Sequence, residues 1–130
     1  VYDIKIIFSN EAEVFLEKKA RKVKNNLNLV LHLKDVYKNC YTKYEADLTF
    51  ENDKDYIGNL DKISDWHERI NIYLDPAVQP LLKDREEVKI GLKGSVFKHL
   101  IVENLDSKIK YGCRVVFGKD VLTSNLNINE

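Results

Sequence analysis

The sequence predicts an α+β fold: one domain with a mainly antiparallel sheet, two helices packed on one face, and the order β-α-β-β-α followed by a β-meander. Three observations carry this expectation. Tyr2, Ile4, Ile6 and Phe8 are spaced by two, as are Leu27, Leu29, Leu31 and Leu33, and again Tyr44, Ala46, Leu48 and Phe50. Period-two spacing puts each set on one face of a strand. Ala12, Leu16, Ala20, Val23 and Leu27 instead step by three and four, the spacing of a helical face. From Glu87 onward the alternation returns in Val88, Ile90 and Leu92. One-sided helices and alternating strands bury their apolar sides against each other, which gives the layering.

Residues 2–9 form the first strand, and Ser9 or Asn10 can cap the helix that follows. Glu11 and Glu13 then stand in its first turn, while Lys18, Lys19, Arg21, Lys22 and Lys24 crowd its far end. Both placements complement the helix dipole. Asn25-Asn26 ends the helix. Strands over about 27–37 and 41–51, joined at Lys38-Asn39, pair most economically as a hairpin. Beyond the polar break Glu51-Asn52-Asp53-Lys54-Asp55, the residues Ile57, Leu60, Ile63, His67 and Ile70 recur at helical spacing and predict a second helix over about 55–70. Trp66 lies beside that stripe and should be partly buried. Asn71 to Leu74 fits either a helix extension or a short strand, and Pro76 and Pro80 bracket a segment that is not regular helix throughout. Gly94-Ser95 allows a turn, Val96 to Leu105 forms a longer apolar-rich run, and Asp106-Ser107 offers a hairpin turn before Ile109 to Phe117. Gly118-Lys119-Asp120 makes a further turn, and the Asn-rich residues 122–130 read as a frayed tail.

The chain of 130 residues is long enough for a core of its own. Hydrophobic residues at 44% and charged residues at 32% are a globular composition. The 21 basic residues balance the 21 acidic ones, so no global field draws in nucleic acid or an anionic membrane, although a local basic patch remains open. No apolar run approaches the roughly 20 residues that span a bilayer, and the chain opens directly into strand-like sequence rather than a signal peptide. Beginning at Val1 with no methionine anywhere, it reads as a domain of a longer protein. Cys40 and Cys113 match no zinc signature. A disulfide between them is open geometrically. Two unpaired thiols are the preferred reading and point to a reducing compartment, the cytoplasm.

Candidate chemistry is sparse. Asp75, followed by Glu87 and Lys89, is the best enzyme-like set. It resembles a family of metal-dependent nucleases in which an acidic residue ends one strand and Glu-x-Lys opens the next. There the two carboxylates hold a divalent ion and the lysine orients the attacking water. Alternation puts Glu87 and Lys89 on one strand face, as that chemistry needs, and His67 could add a ligand. The order Asp75-Pro76 reverses the family's usual Pro-Asp, and a charged strand face beside an Asp-Pro turn accounts for the same residues. His32, His67 and His99 have no motif spacing, and Gly91-Leu92-Lys93-Gly94 is not a phosphate loop.

Tyr37, Tyr41 and Tyr44 flank the first hairpin with Lys34, Lys38 and Lys43. Such interleaving can stack bases and grip phosphates, or serve as amphipathic anchors at a protein interface. The opening strand, the helix carrying Glu17-Lys18-Lys19 and the following hairpin are similar in order to several small RNA- and ribosome-associated α/β folds. Element order is shared by many unrelated functions, so no family is assigned.

These residues predict a non-enzymatic protein-interaction or assembly module with no cofactor. Its contact would be a sheet edge or the hairpin residues Tyr37, Lys38, Tyr41, Lys43 and Tyr44. Its partner would be another protein or a second copy of itself, with no membrane involved. Two alternatives stand beside it: a metal-dependent nuclease using Asp75, Glu87 and Lys89 with a divalent ion, and a nucleic-acid-binding module.

Overall fold

The computed structural model describes residues 4–38, 40–82, 87–105 and 107–111, with the backbone alone at 37, 38, 65 and 108–111. The chain is α+β. It runs β1 (Lys5–Phe8), α1 (Asn10–Lys22), β2 (Leu27–Lys38), β3 (Tyr41–Phe50), α2 (Lys54–Ile57), β4 (Asp61–His67), β5 (Ile70–Leu74), a 3₁₀ helix (Pro76–Leu82), β6 (Glu87–Lys93), β7 (His99–Val102) and β8 (Lys108–Tyr111). The expected frayed tail, the turn at Gly118-Lys119-Asp120 and most of the strand drawn over 109–117 lie outside the described residues, as do Asn39 and Asp106.

The expected single sheet is divided in two. A three-stranded sheet has the order β1-β6-β7 and a five-stranded sheet the order β4-β5-β2-β3-β8. The division arises because β6 pairs in parallel with β1, with Ile6 opposite Val88 and Phe8 opposite Ile90, rather than beside β5. In the larger sheet β2 and β3 form the predicted hairpin, Leu31 opposite Leu48 and Leu33 opposite Ala46. β5 adds to the other side of β2 in parallel, Leu29 opposite Ile72. β6 and β7 make the expected hairpin, but β8 leaves for β3 instead of continuing a meander.

One core serves both sheets. It gathers Phe8, the helix residues Ala12, Leu16 and Ala20, then Leu29, Leu31 and Leu48, with Ile70, Ile72, Leu74, Val88, Ile90 and Leu100. In β2, β5 and β6 the residues of this core are spaced by two, so the alternation there is the one that is buried. α1 begins where predicted, Ser9 Oγ accepting from the Ala12 amide at 3.1 Å. Val30 points away from this core and is buried nonetheless; like the buried Ile57 of α2, it lies outside the main cluster. Of the two expected helices α1 packs on this core, and the 3₁₀ helix adds Val78 and Leu82 to it.

The second helix is much shorter than its stripe implied. α2 has four residues, capped by Asp53, whose side chain accepts from the Asp55 and Tyr56 amides. Gly58, Asn59 and Leu60 then turn the chain, and the later stripe residues Ile63, His67 and Ile70 fall on two strands. Gly58, Ser64 and Asp65 are poor helix formers, and Ile70, Ile72 and Leu74 form a fully buried period-two set that outweighs the helical spacing. Trp66 is partly buried as expected: its ring lies 4.5 Å from that of Phe8, and its indole N–H donates to Glu13 at 3.3 Å. Cys40 is in a disulfide, which overturns the expectation of unpaired thiols; Cys113 lies outside the described residues.

Candidate functional site

The β6–β7 hairpin is built from residues with two separate duties. Val88, Ile90 and Leu100 are buried and anchor its base. The pairing ends at Lys93 opposite His99, leaving Gly94 to Lys98 as the connecting loop. Gly94 has φ +104°, and a Cβ there would stand 2.2 Å from the Phe97 carbonyl oxygen. Glycine is the residue that permits both the left-handed backbone and this close approach. Beyond the closure, Val96 and Phe97 stand 81% and 87% exposed. The sequence places both at the start of an apolar-rich run over Val96 to Leu105. The register instead leaves them in the loop, and the signal that could have found them is the Gly94-Ser95 pair directly before two large apolar residues.

The base of the hairpin is tied further. Asn104 uses its side-chain amide as a surrogate strand, accepting from the Lys89 amide and donating to the Glu87 carbonyl, both at 2.8 Å. The Glu103 amide donates to the Lys89 carbonyl at 2.8 Å. Gly91 leaves the space that the Glu103 carboxylate fills, since a Cβ there would meet Oε2 at 2.3 Å. From Val88 to Val102 the hairpin carries Lys89, Lys93, Lys98 and His99 and no carboxylate. This is a local basic stretch in a chain of zero net charge.

The three residues of the nuclease alternative fall on two sheets. Glu87 and Lys89 share an exposed face of β6, as alternation required. Asp75 directly follows β5 of the other sheet and is engaged in holding the fold. Its carboxylate accepts from the Ala77 amide at 3.0 Å and from the Tyr56 hydroxyl, while its own amide donates to the Leu31 carbonyl. Among the described residues no group of three or more His, Cys, Asp or Glu side chains is placed to hold a metal ion. His67 accepts from the Arg69 amide at 3.0 Å in the turn between β4 and β5, which is a structural task.

The hairpin candidates are also divided. In the β2–β3 register Tyr37 stands opposite Thr42 and Lys38 opposite Tyr41. Strand alternation puts Tyr41 and Lys43 on one face of β3 and Tyr44 on the other. Lys43 is paired with Glu45 at 3.7 Å on the surface. Where β3 runs beside β7, a cleft of about 360 Å³ is lined by both charge signs, Lys34 and Lys93 with Glu45 and Asp47, and by His99.

Tyr56 has a pKa raised from 10.0 to about 12, first by burial, then by the hydrogen bond it donates to Asp75, and then by the negative charges of Asp75 and Glu51. The fold thus favours the neutral phenol. Its stabilising contribution is complete below about pH 10 and is lost as pH rises through about 12. Comparing the stability–pH curves of the wild type and Tyr56→Phe should show an extra fall in the wild type over that window. Parallel curves would mean that Tyr56 titrates alike in the folded and unfolded chains. No helix among the described residues is long and apolar enough to cross a membrane. No family model, curated protein or solved structure matches the chain, so a functional reading has to come from its own surface.

Proposed function

We propose that this domain is a non-enzymatic interaction module that docks on a protein partner through the tip of the β6–β7 hairpin. The observation that supports this reading is the pair Val96 and Phe97, 81% and 87% exposed on a loop that Gly94 closes tightly. Isolated exposed apolar residues are ordinary. Two adjacent large ones on a protrusion with an anchored base offer a rigid aromatic anchor, the kind of residue that dominates interface energies. The β4 edge of the larger sheet is a poorer contact: it carries register shifts at Lys62/Ser64 and Ser64/His67, and such irregularities blunt an edge for strand addition. Strand alternation sets Tyr41 and Tyr44 on opposite faces of β3.

A cytoplasmic setting rested on free thiols. With Cys40 in a disulfide, an oxidising compartment suits the proposal better, because disulfides persist there.

Phe97→Ser is expected to leave the melting temperature of the isolated domain nearly unchanged, within about 0.5 kcal/mol of stability. A partner present at about 100 times its Kd should stabilise the wild type by about 2.7 kcal/mol and Phe97→Ser far less. If the partner is a second copy, the wild-type melting temperature should instead rise with protein concentration. A substitution that unfolds the domain, or one that leaves the partner effect intact, would count against the hairpin tip as the contact.

A further inference from the structure

The densest block of like charge in the chain lies apart from the hairpin tip in sequence and is independent of it as a site. Residues 18–28 carry Lys18, Lys19, Arg21, Lys22 and Lys24 and no carboxylate, and all five cations are exposed. The helix dipole accounts for Lys19, Arg21 and Lys22 in the last turn of α1. It does not account for what adjoins them. Beside the helix end a cleft of about 280 Å³ is lined by Val23, Lys24, Asn25, Asn26, Phe50 and Asn52, among others.

This cleft combines three chemistries. Phe50 and Val23 are 41% and 38% exposed and offer apolar surface. The asparagines offer amide donors and acceptors. Lys19 holds its ammonium 5.8 Å from the Phe50 ring centroid and 5.4 Å from that of Phe15. The walls are fixed by the fold: the Arg69 guanidinium donates to the Val23 carbonyl at 2.6 Å and to the Asn25 carbonyl at 3.2 Å. On the other side the Glu51 amide donates to the Asn28 carbonyl at 2.9 Å. Glu51 accepts from the Asn52 and Asp53 amides, and Asp53 caps α2.

We propose that this cleft binds single-stranded nucleic acid, with a base against Phe50, its edge toward the asparagine amides, and phosphates along Lys19, Lys22 and Lys24. An exposed aromatic beside a cationic track is the arrangement that takes unpaired bases. An acidic peptide would use the cations and leave the aromatic ring and the amides without a role. A duplex keeps its bases stacked and out of reach of Phe50.

The test is fluorescence anisotropy of a labelled oligouridylate of about 12 nucleotides with the whole chain. With about three phosphates neutralised, affinity should fall about 18-fold between roughly 50 and 200 mM salt. Phe50→Ala should weaken binding about tenfold at fixed salt and leave the salt slope alone. The paired change Lys22→Gln and Lys24→Gln, at exposed positions that do not touch the core, should lower the slope by about 1.4. The proposal is overturned by no saturable binding at the lower salt, or by a duplex of equal length binding as tightly. It is equally overturned if a folded Phe50→Ala binds like the wild type, which would reduce the site to generic attraction for polyanions. None of these results bears on the hairpin tip.

Discussion

Leu16→Ala is expected to lower the unfolding free energy by about 2–5 kcal/mol, a fall in melting temperature of roughly 10 °C for a domain of this size. Leu16 is the one large side chain that α1 buries completely; its other buried positions, Ala12 and Ala20, are small. The two alanines let the helix lie close to the core, and Leu16 fills the space between them. It belongs to the buried cluster that also holds Leu29, Ile72 and Ile90, a cluster to which both sheets contribute. Val14 on the same helix is 55% exposed, and Val14→Ala should change stability by no more than about 0.5 kcal/mol. Chemical denaturation of the two variants checks the contrast. Equal effects would mean that α1 does not hold the sheets together through this contact.

Gly94→Ala is the second large effect, expected at about 1–3 kcal/mol. The backbone there has φ +104°, and the new Cβ would collide with a carbonyl oxygen, a backbone atom that cannot move without opening the loop. Gly91 gives the comparison. Its added Cβ would meet the end of the Glu103 side chain, which can swing aside, so Gly91→Ala should cost less than about 1 kcal/mol. Because Gly94 also sets how Val96 and Phe97 project, Gly94→Ala should weaken partner binding as well as stability. Phe97→Ser should weaken binding alone. Melting curves and a binding assay on both variants separate the two roles, and a neutral Gly94→Ala would show that the closed loop is not required.

Much of the scaffold is legible in the residues, and the reasons are local. Leu27 to Leu33, and Ala46 with Leu48, alternate because one side of each strand meets the core, while Phe50 at the end of β3 is left on the surface; the hairpin between the strands follows from chain proximity. Ser9 caps α1 because its hydroxyl sits three residues before the Ala12 amide. The failures come from competition between patterns and from long-range pairing. The stripe from Ile57 to Ile70 has helical spacing, yet Ile70, Ile72 and Leu74 are also a strand set, and the parallel place beside β2 decides in favour of the strand. Nothing local to Glu87 says that β6 will pair with β1 at the start of the chain, which is why one sheet was expected and two are found. The same pairing places Asp75 on a different sheet from Glu87 and Lys89. Val96 and Phe97 look like strand residues by composition, and only the register that ends at Lys93 and His99 leaves them on a tip.

The central claim is that Phe97 meets a partner, and site-specific photo-crosslinking tests it most directly. A benzophenone side chain would replace Phe97 in one sample and the exposed Val14 in another. Position 97 should give a discrete adduct that an excess of unlabelled wild-type chain removes and an excess of Phe97→Ser chain does not. The same adducts from both positions, or equal competition by the two chains, would contradict it.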